Sequence, residues 1–194
     1  MKPILETIDT RFGTASKHVF SRGNTLPYTG VPFGMNYFVP QTSDQEGSWF
    51  FDPHLPIFQG VRLTHQPSPW IGDYSWLLLT PVTGEISGDT LFHRQSSYNL
   101  DRAIFNPHYL RIFSERYQIE TQLTPTCYGA SIQLRQIQGK KLSLYLHATD
   151  DLSLEQVNER TVSLGQSGLT ETNKSPLVMF TALAFSTDIL SINQ

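Results

Sequence analysis

Hydrophobic and polar residues alternate along several stretches of the second half of the chain. The alternation covers residues 109–113, 117–123, 132–134, 142–146 and 178–185. A period of two, broken by turn residues every ten or so positions, is typical of antiparallel strands that bury one face. The pattern therefore predicts an all-β chain that folds as an antiparallel β-sandwich of two packed sheets.

The first half of the chain is rich in turns, and its strand signals are shorter. Residues 21–24 and 31–34 are strong breakers. Aromatic or apolar strands are predicted at residues 48–51, 58–63 and 75–79, the last ending at Thr80-Pro81. Residues 101–105 and 152–158 are each predicted to form one or two helical turns.

No linker, repeat or low-complexity tract divides the 194 residues, so we expect one domain over residues 1–194. Residues 186–194 still alternate, without a cap, a charged tail or a Pro/Gly exit. This ending predicts a fragment that was cut within a sheet. An apolar face left open by such a cut favours self-association.

Composition and charge exclude several classes of function. A net charge of −3 with 16% charged residues provides no basic stripe for nucleic acid. The longest apolar run, residues 177–185, is too short to span a membrane. Residues 1–9 carry charge where a signal peptide would be apolar, which favours the cytoplasm. The single cysteine, Cys127, excludes an internal disulfide and is expected to be a small buried side chain.

The loop that follows residue 63 carries the strongest candidate chemistry. It brings together His65, Gln66, Trp70, Asp73 and Tyr74 within ten positions. An indole face beside hydrogen-bonding groups suits a sugar, which has an apolar C–H face and a rim of hydroxyls. We expect Trp70 to stack on a sugar, although tryptophan in a sandwich is more often a core residue. His65 has equal claims to a ligand-facing and a structural role.

Three further candidates have competing interpretations. Arg22 and Asn24 suit sugar hydroxyls, with Gly23 allowing close backbone approach, but a simple turn is equally compatible. Asp73 fits a catalytic carboxylate, a turn former or a hydroxyl acceptor. Glycoside hydrolysis requires two carboxylates, and no convincing partner for Asp73 is present, so no catalytic residue is predicted. The histidines show no metal-ligand spacing, and no metal site is predicted.

The ordered motifs of the chain resemble the N-terminal domain of glycoside hydrolase family 92, the calcium-dependent exo-α-mannosidases. They are Pro32-Phe-Gly-Met35, Pro40-Gln-Thr42, Gly47-Ser-Trp-Phe-Phe51, Gly60-Val-Arg-Leu-Thr-His65, Trp70-Ile-Gly-Asp-Tyr74, Asn106-Pro-His-Tyr-Leu110 and Ile119-Glu-Thr-Gln-Leu-Thr-Pro-Thr126. The chain departs from the family pattern after Thr64-His65, where Gln-Pro-Ser-Pro replaces a Ser-Gly-containing run. This departure puts the sugar contacts and the preferred linkage in question.

The resemblance implies a supersandwich-like β-domain packed on a helical (α/α)6 catalytic domain. It also implies hydrolysis of α-linked mannosides with inversion and calcium bound by the helical domain, which supplies the acid and the base. On this interpretation the chain is inactive alone and completes the pocket for a mannose-containing oligosaccharide. The competing interpretation is a non-catalytic carbohydrate-binding or structural β-sandwich that uses the same loop.

Overall fold

The computed structural model describes residues 3–17, 19–20, 25–44, 50–65, 77–86, 88–148, 152–170 and 173–193. The chain forms two compact units, one through His147 and one from Ala148. All strand pairings in both units are antiparallel, so the predicted all-β class is confirmed. Among the described residues, no helix is long and apolar enough to cross a membrane.

The first unit contains two four-stranded sheets. Sheet I has the order β1-β3-β4-β10, and sheet II has the order β6-β7-β8-β9. Two short strands, β2 and β5, pair separately. The strands are β1 (Tyr37–Gln41), β2 (Ile57–Phe58), β3 (Gly60–Thr64), β4 (Leu77–Thr83), β5 (Ser96–Ser97), β6 (Ile104–Asn106), β7 (Tyr109–Ser114), β8 (Ile119–Pro125), β9 (Ala130–Gln136) and β10 (Leu142–His147). A 3-10 turn spans Ile4–Thr7, and α1 spans Leu91–Arg94.

The two sheets contact each other through a shared apolar cluster. Val82 of β4 packs against Tyr117 and Ile119 at the start of β8, and all three are buried. Every residue of β3 and β4 is buried, whereas β7 and β8 bury every second residue along most of their length. The central strands β3 and β4 of sheet I are therefore buried on both faces, and sheet II has one face toward the core. This arrangement is the predicted sandwich.

A buried polar network lies inside sheet I. Arg62 is only 5% exposed, and its Nε donates to Oε1 of Gln41 at 2.8 Å. Gln41 in turn donates from Nε2 to Oε1 of Gln59 at 2.8 Å. The guanidinium carbon of Arg62 lies 4.4 Å above the centre of the Phe50 ring. The bond between Arg62 and Gln41 links β3 to β1. The network also pairs polar groups whose burial without a partner would be costly.

The second unit is a three-stranded meander. Its strands are β11 (Leu152–Asn158), β12 (Thr161–Thr170) and β13 (Asn173–Ala184), in the order β11-β12-β13. Val162, Leu164 and Gln166 alternate as buried residues along β12. The turn between β11 and β12 is held by the chain that follows β13, because Arg160 Nε donates to Asp188 Oδ1 at 2.6 Å.

The strands predicted from alternation are confirmed at β7, β8, β9, β10 and β13. The helical prediction is wrong for residues 152–158 and for the end of residues 101–105, whereas Asp101 and Arg102 do lie in a turn that the Ala103 amide closes onto the Asn99 carbonyl at 3.2 Å. Residues 104–106 form β6, in which Phe105 is buried opposite Leu110, and residues 152–158 form β11. In both cases pairing with a neighbouring strand overrides a weak local preference for turns.

Three predicted strands differ in their boundaries. The strand predicted at residues 75–79 continues through Pro81 to Thr83; its residues 75 and 76 lie outside the described part. Pro81 is tolerated within β4 because β3 pairs only with Leu77–Leu79. At Pro81, β4 therefore has a neighbouring strand on one side only, which is β10. The strand predicted at residues 58–63 is interrupted before Gly60, whose φ is 147°. Phe50 and Phe51 are buried but lie outside any strand, while Ser48 and Trp49 lie outside the described residues.

Candidate functional site

A loop between the two sheets of the first unit places several polar and apolar groups at one corner. We call residues 30–36 the Phe33 loop. Its entry is fixed by Thr29, which exchanges main-chain hydrogen bonds with Phe38 and donates from Oγ1 to the Asn106 carbonyl at 3.0 Å. The Gly30 amide donates to the Pro107 carbonyl at 2.8 Å. Glycine is required there, because a β-carbon would lie 2.5 Å from the Tyr37 ring.

The far end of the Phe33 loop is attached to the connection between β8 and β9. The Met35 amide donates to the Cys127 carbonyl at 2.7 Å, and Asn36 Nδ2 donates to the Tyr128 carbonyl at 2.7 Å. Residues 126–129, which we call the Tyr128 turn, are closed by a 2.7 Å bond from the Thr126 amide to the Gly129 carbonyl. The loop is therefore held at both ends by sheet II.

His65 joins the same corner from sheet I. It follows the last residue of β3, Thr64, which pairs with Tyr37 at the start of β1. Its Nδ1 is in hydrogen-bond contact with the Met35 carbonyl oxygen. The Phe33 loop, His65 and the Tyr128 turn together form what we call the His65 corner. Three segments that are far apart in sequence meet there.

The other predicted sugar-binding residues cannot be placed in this geometry. Gln66, Trp70, Asp73, Tyr74, Arg22 and Asn24 all lie outside the described residues. Of the predicted set, the structure therefore locates His65 alone, at the point where the candidate loop begins. The proposed roles of the other six stay predictions.

The corner also contains exposed apolar residues that sequence reasoning did not select. The side chain of Phe33 is 99% exposed, that of Tyr128 is 82% exposed and that of Met35 is 57% exposed. The signal for Phe33 was its position inside a Pro-x-Gly turn, where an aromatic ring has few core neighbours. Cys127, expected to be buried, is exposed, because it lies in the turn after β8 and not within the strand.

The side chains of the corner limit the chemistry that its described residues can perform. The Phe33 loop, His65 and the Tyr128 turn contain no aspartate or glutamate. Glycoside hydrolysis uses a pair of carboxylates about 5–10 Å apart. Within the described residues, no group of three or more His, Cys, Asp or Glu side chains could hold a metal ion. No such cluster lies at the corner, which presents an imidazole, a thiol, the hydroxyls of Thr126 and Tyr128, the amide of Asn36 and apolar surface.

An open cleft of about 490 Å³ lies elsewhere in the first unit. It runs between the segment Glu6–Asp9 and the segment Ala103–Tyr109. One wall carries Asp9, whose pKa is lowered by its side-chain hydrogen bonds to Arg11. None of the predicted sugar-binding residues lines this cleft, so we place the candidate site at the His65 corner.

Solved structures with the same fold include two mannosidases and a further glycosyl hydrolase of family GH92. The family GH92 inverting mannosidase BT2199 from Bacteroides thetaiotaomicron matches with a TM-score of 0.78 and 24% identity, over 97% of this chain and 28% of that chain. The family GH92 α-mannosidase BT3965 from the same organism, in complex with mannoimidazole, matches with a TM-score of 0.79 and 17% identity, over 97% of this chain and 26% of that chain. The gh92 family glycosyl hydrolase ccman5 matches with a TM-score of 0.69 and 14% identity, over 91% of this chain and 25% of that chain.

The chain thus spans about a quarter of the length of these solved structures. No curated protein sequence matches it. The profile of the glycosyl hydrolase family 92 N-terminal domain matches residues 7–192. The chain belongs to glycosyl hydrolase family 92, in which it corresponds to the N-terminal domain.

Proposed function

We propose that this chain is the N-terminal domain of an exo-acting α-mannosidase that hydrolyses α-linked mannosides with inversion. The observation that carries the proposal is the family match over residues 7–192. Two relatives of the same fold support the substrate: one is described as an inverting mannosidase, and another was solved with mannoimidazole bound.

In this proposal the loop that begins at His65 completes the mannose pocket without performing the chemistry. Trp70 stacks on the sugar, and Tyr74 is a further substrate-binding residue. Hydroxyls are bound by His65, Gln66, Asp73, Arg22 and Asn24. The absence of carboxylates from the described corner supports a binding role. A chain without an acid and base pair is expected to be inactive in isolation.

The partners follow from the same proposal. A helical domain of the same polypeptide provides the acid, the base and the calcium ion, which binds the terminal mannose when present. Among the described residues no cluster of three or more His, Cys, Asp or Glu side chains could hold a metal ion, so this chain is given no role in holding calcium. A mannose-containing oligosaccharide is the substrate.

The proposal is tested with the complete product of the gene that encodes this chain, beside residues 1–194 alone. Both are incubated with an α-1,2-linked mannobioside, with and without a calcium chelator, and the released mannose is followed by proton NMR. We expect the complete product to release β-mannose first, as inversion requires, to lose this activity on chelation, and the 194 residues to release none.

Two results would contradict the proposal in different ways. Turnover by residues 1–194 alone would place a complete carboxylate pair within this chain. No turnover by either protein on α-1,2-, α-1,3- or α-1,6-linked mannobiosides would favour the competing sugar-binding or structural module.

A further inference from the structure

The Phe33 loop exposes a phenyl ring on a constrained backbone. The φ angle of Phe33 is 58°, in a left-handed region that glycine adopts readily and that a β-carbon resists. The ring is 99% exposed and so gains almost nothing from packing in its own unit. A strained backbone that displays an unburied aromatic side chain points to a function outside the unit.

The surface around Phe33 is rigidly held. The Met35 and Asn36 bonds to Cys127 and Tyr128 fix the loop to the Tyr128 turn, and the Gly30 amide fixes its other end. Met35 and Tyr128 lie within the same bonded network and are 57% and 82% exposed. A surface that is ordered before binding loses little conformational entropy when a partner arrives.

The side chains of this surface fit a protein partner better than a sugar. A sugar site needs several polar side chains around its aromatic ring. Of Phe33, Met35 and Tyr128, only tyrosine carries a polar side-chain atom. Aromatic and methionine side chains are the residues enriched in the cores of protein interfaces, where they enter pockets of the partner.

We propose that Phe33, Met35 and Tyr128 form the docking surface for the domain that follows this one in the same polypeptide. The inference rests on the proposed function. The matched family profile is an N-terminal domain, and about three quarters of each solved relative lies outside the part that this chain covers. Three side chains are too few for a stable interface between separate molecules. Within one polypeptide the effective concentration is high, so a small anchored surface suffices.

Docking at this surface has a consequence for the sugar loop. The Met35 carbonyl contacts His65, the residue from which the candidate sugar-binding loop departs. A partner that covers Phe33 and Met35 therefore also fixes the start of that loop. The three residues are positioning residues for the pocket and do not touch the substrate themselves.

Cys127 provides a built-in reporter of docking. Its thiol is exposed, and it lies beside Tyr128 on the proposed surface. Maleimide labelling of the native protein is followed by mass spectrometry of the tryptic peptide covering residues 117–135, which contains this cysteine. We expect Cys127 to react at least about tenfold more slowly in the complete gene product than in residues 1–194 alone.

Variants separate docking from folding. Phe33→Gly keeps a backbone that accepts the observed φ, so it leaves the fold intact while removing the ring. In the complete product it should restore labelling of Cys127 to within about twofold of the rate in residues 1–194. Tyr128→Ala should act in the same direction. The control is Phe92→Ala, which removes an exposed phenylalanine of α1 and should leave Cys127 protected.

The possible outcomes distinguish this inference from the proposed function. Equal labelling of Cys127 in both proteins, or protection that survives Phe33→Gly, would overturn the docking surface. Protection of residues 1–194 by added mannose would assign the surface to sugar, and protection that grows with protein concentration would assign it to a second copy. Mannosidase activity with an unprotected Cys127 overturns the inference alone, whereas protection without activity on any mannoside overturns the proposed function alone.

Discussion

The main-chain amide of Met35 donates a 2.7 Å hydrogen bond to the carbonyl oxygen of Cys127, joining the loop before β1 to the connection after β8. The carbonyl of the same Met35 contacts Nδ1 of His65. Both backbone polar groups of one residue are thus used to bring three distant segments together. The position of His65, and of the loop that starts there, depends on this junction.

Replacement of Gly60, at the start of β3, is predicted to lower the stability of the fold. A β-carbon at position 60 would lie 2.5 Å from the Leu79 carbonyl oxygen and 2.8 Å from Thr80 Oγ1. Gly60→Ala should lower the free energy of unfolding by about 3 kcal/mol in urea titrations. Gly84→Ala is the control, since Gly84 also has a positive φ but no atom within 4 Å of its β-carbon position. It should cost only about 1 kcal/mol, and equal losses would show that the contact with Leu79 is unimportant.

Two buried tyrosines should respond in opposite ways to removal of their hydroxyls. Among the described residues Tyr98 Oη has no hydrogen-bond partner, and burial raises the pKa of Tyr98 to about 12. Tyr98→Phe should leave the free energy of unfolding unchanged or raise it by up to about 1 kcal/mol.

Tyr117 is the matched comparison, because its Oη donates to the Arg94 carbonyl at 2.9 Å. Tyr117→Phe should therefore lower the free energy of unfolding by about 1 kcal/mol, measured in the same denaturant series. A larger loss for Tyr98→Phe than for Tyr117→Phe would contradict this assignment.

The stability of the fold should fall in mild acid because of His147. Burial lowers the pKa of His147, and the positive charges of Arg62 and Arg94 lower it further, against a smaller opposite effect of Asp44. The folded state thus prefers neutral imidazole, whereas the unfolded chain takes up the proton near the ordinary pKa of 6.5. The contribution of neutral His147 to the free energy of unfolding is complete above that pH, and it is lost as the pH falls through the lower folded-state pKa.

His147→Gln removes the titrating group and should flatten this part of the pH dependence. The measurement is the free energy of unfolding between about pH 7.5 and pH 5 for both proteins. The wild type should lose stability more steeply than the variant over this interval. Parallel curves would mean that His147 makes no contribution.

Sequence reasoning succeeded where a strand has one buried face. In β7 and β8 the alternation of residues such as Leu110 and Ile112 with polar neighbours matches their burial. In β3 and β4 every residue is buried, so alternation carries no signal and the boundaries at Gly60 and Pro81 were missed. Burial on both faces is a property of the assembled layers, and no local pattern records it.

The candidate site was predictable only in part for a related reason. The sequence identified the segment around His65 and the Pro-x-Gly turn at Phe33. It did not show that Cys127 and Tyr128 lie beside them, because that proximity depends on hydrogen bonds between residues far apart in the chain. The exposure of Cys127 and Phe33 follows from the same tertiary arrangement.

The most direct test of the account is the rate of mannose release from an α-1,2-linked mannobioside by the complete gene product and its His65→Ala variant. We expect the wild type to hydrolyse this substrate and His65→Ala to lose at least about tenfold in kcat/KM. His54→Ala, which removes an exposed histidine of a different loop, should retain the wild-type value. A wild type that releases no mannose from any α-mannoside, or a His65→Ala variant with unchanged kcat/KM, would contradict the account.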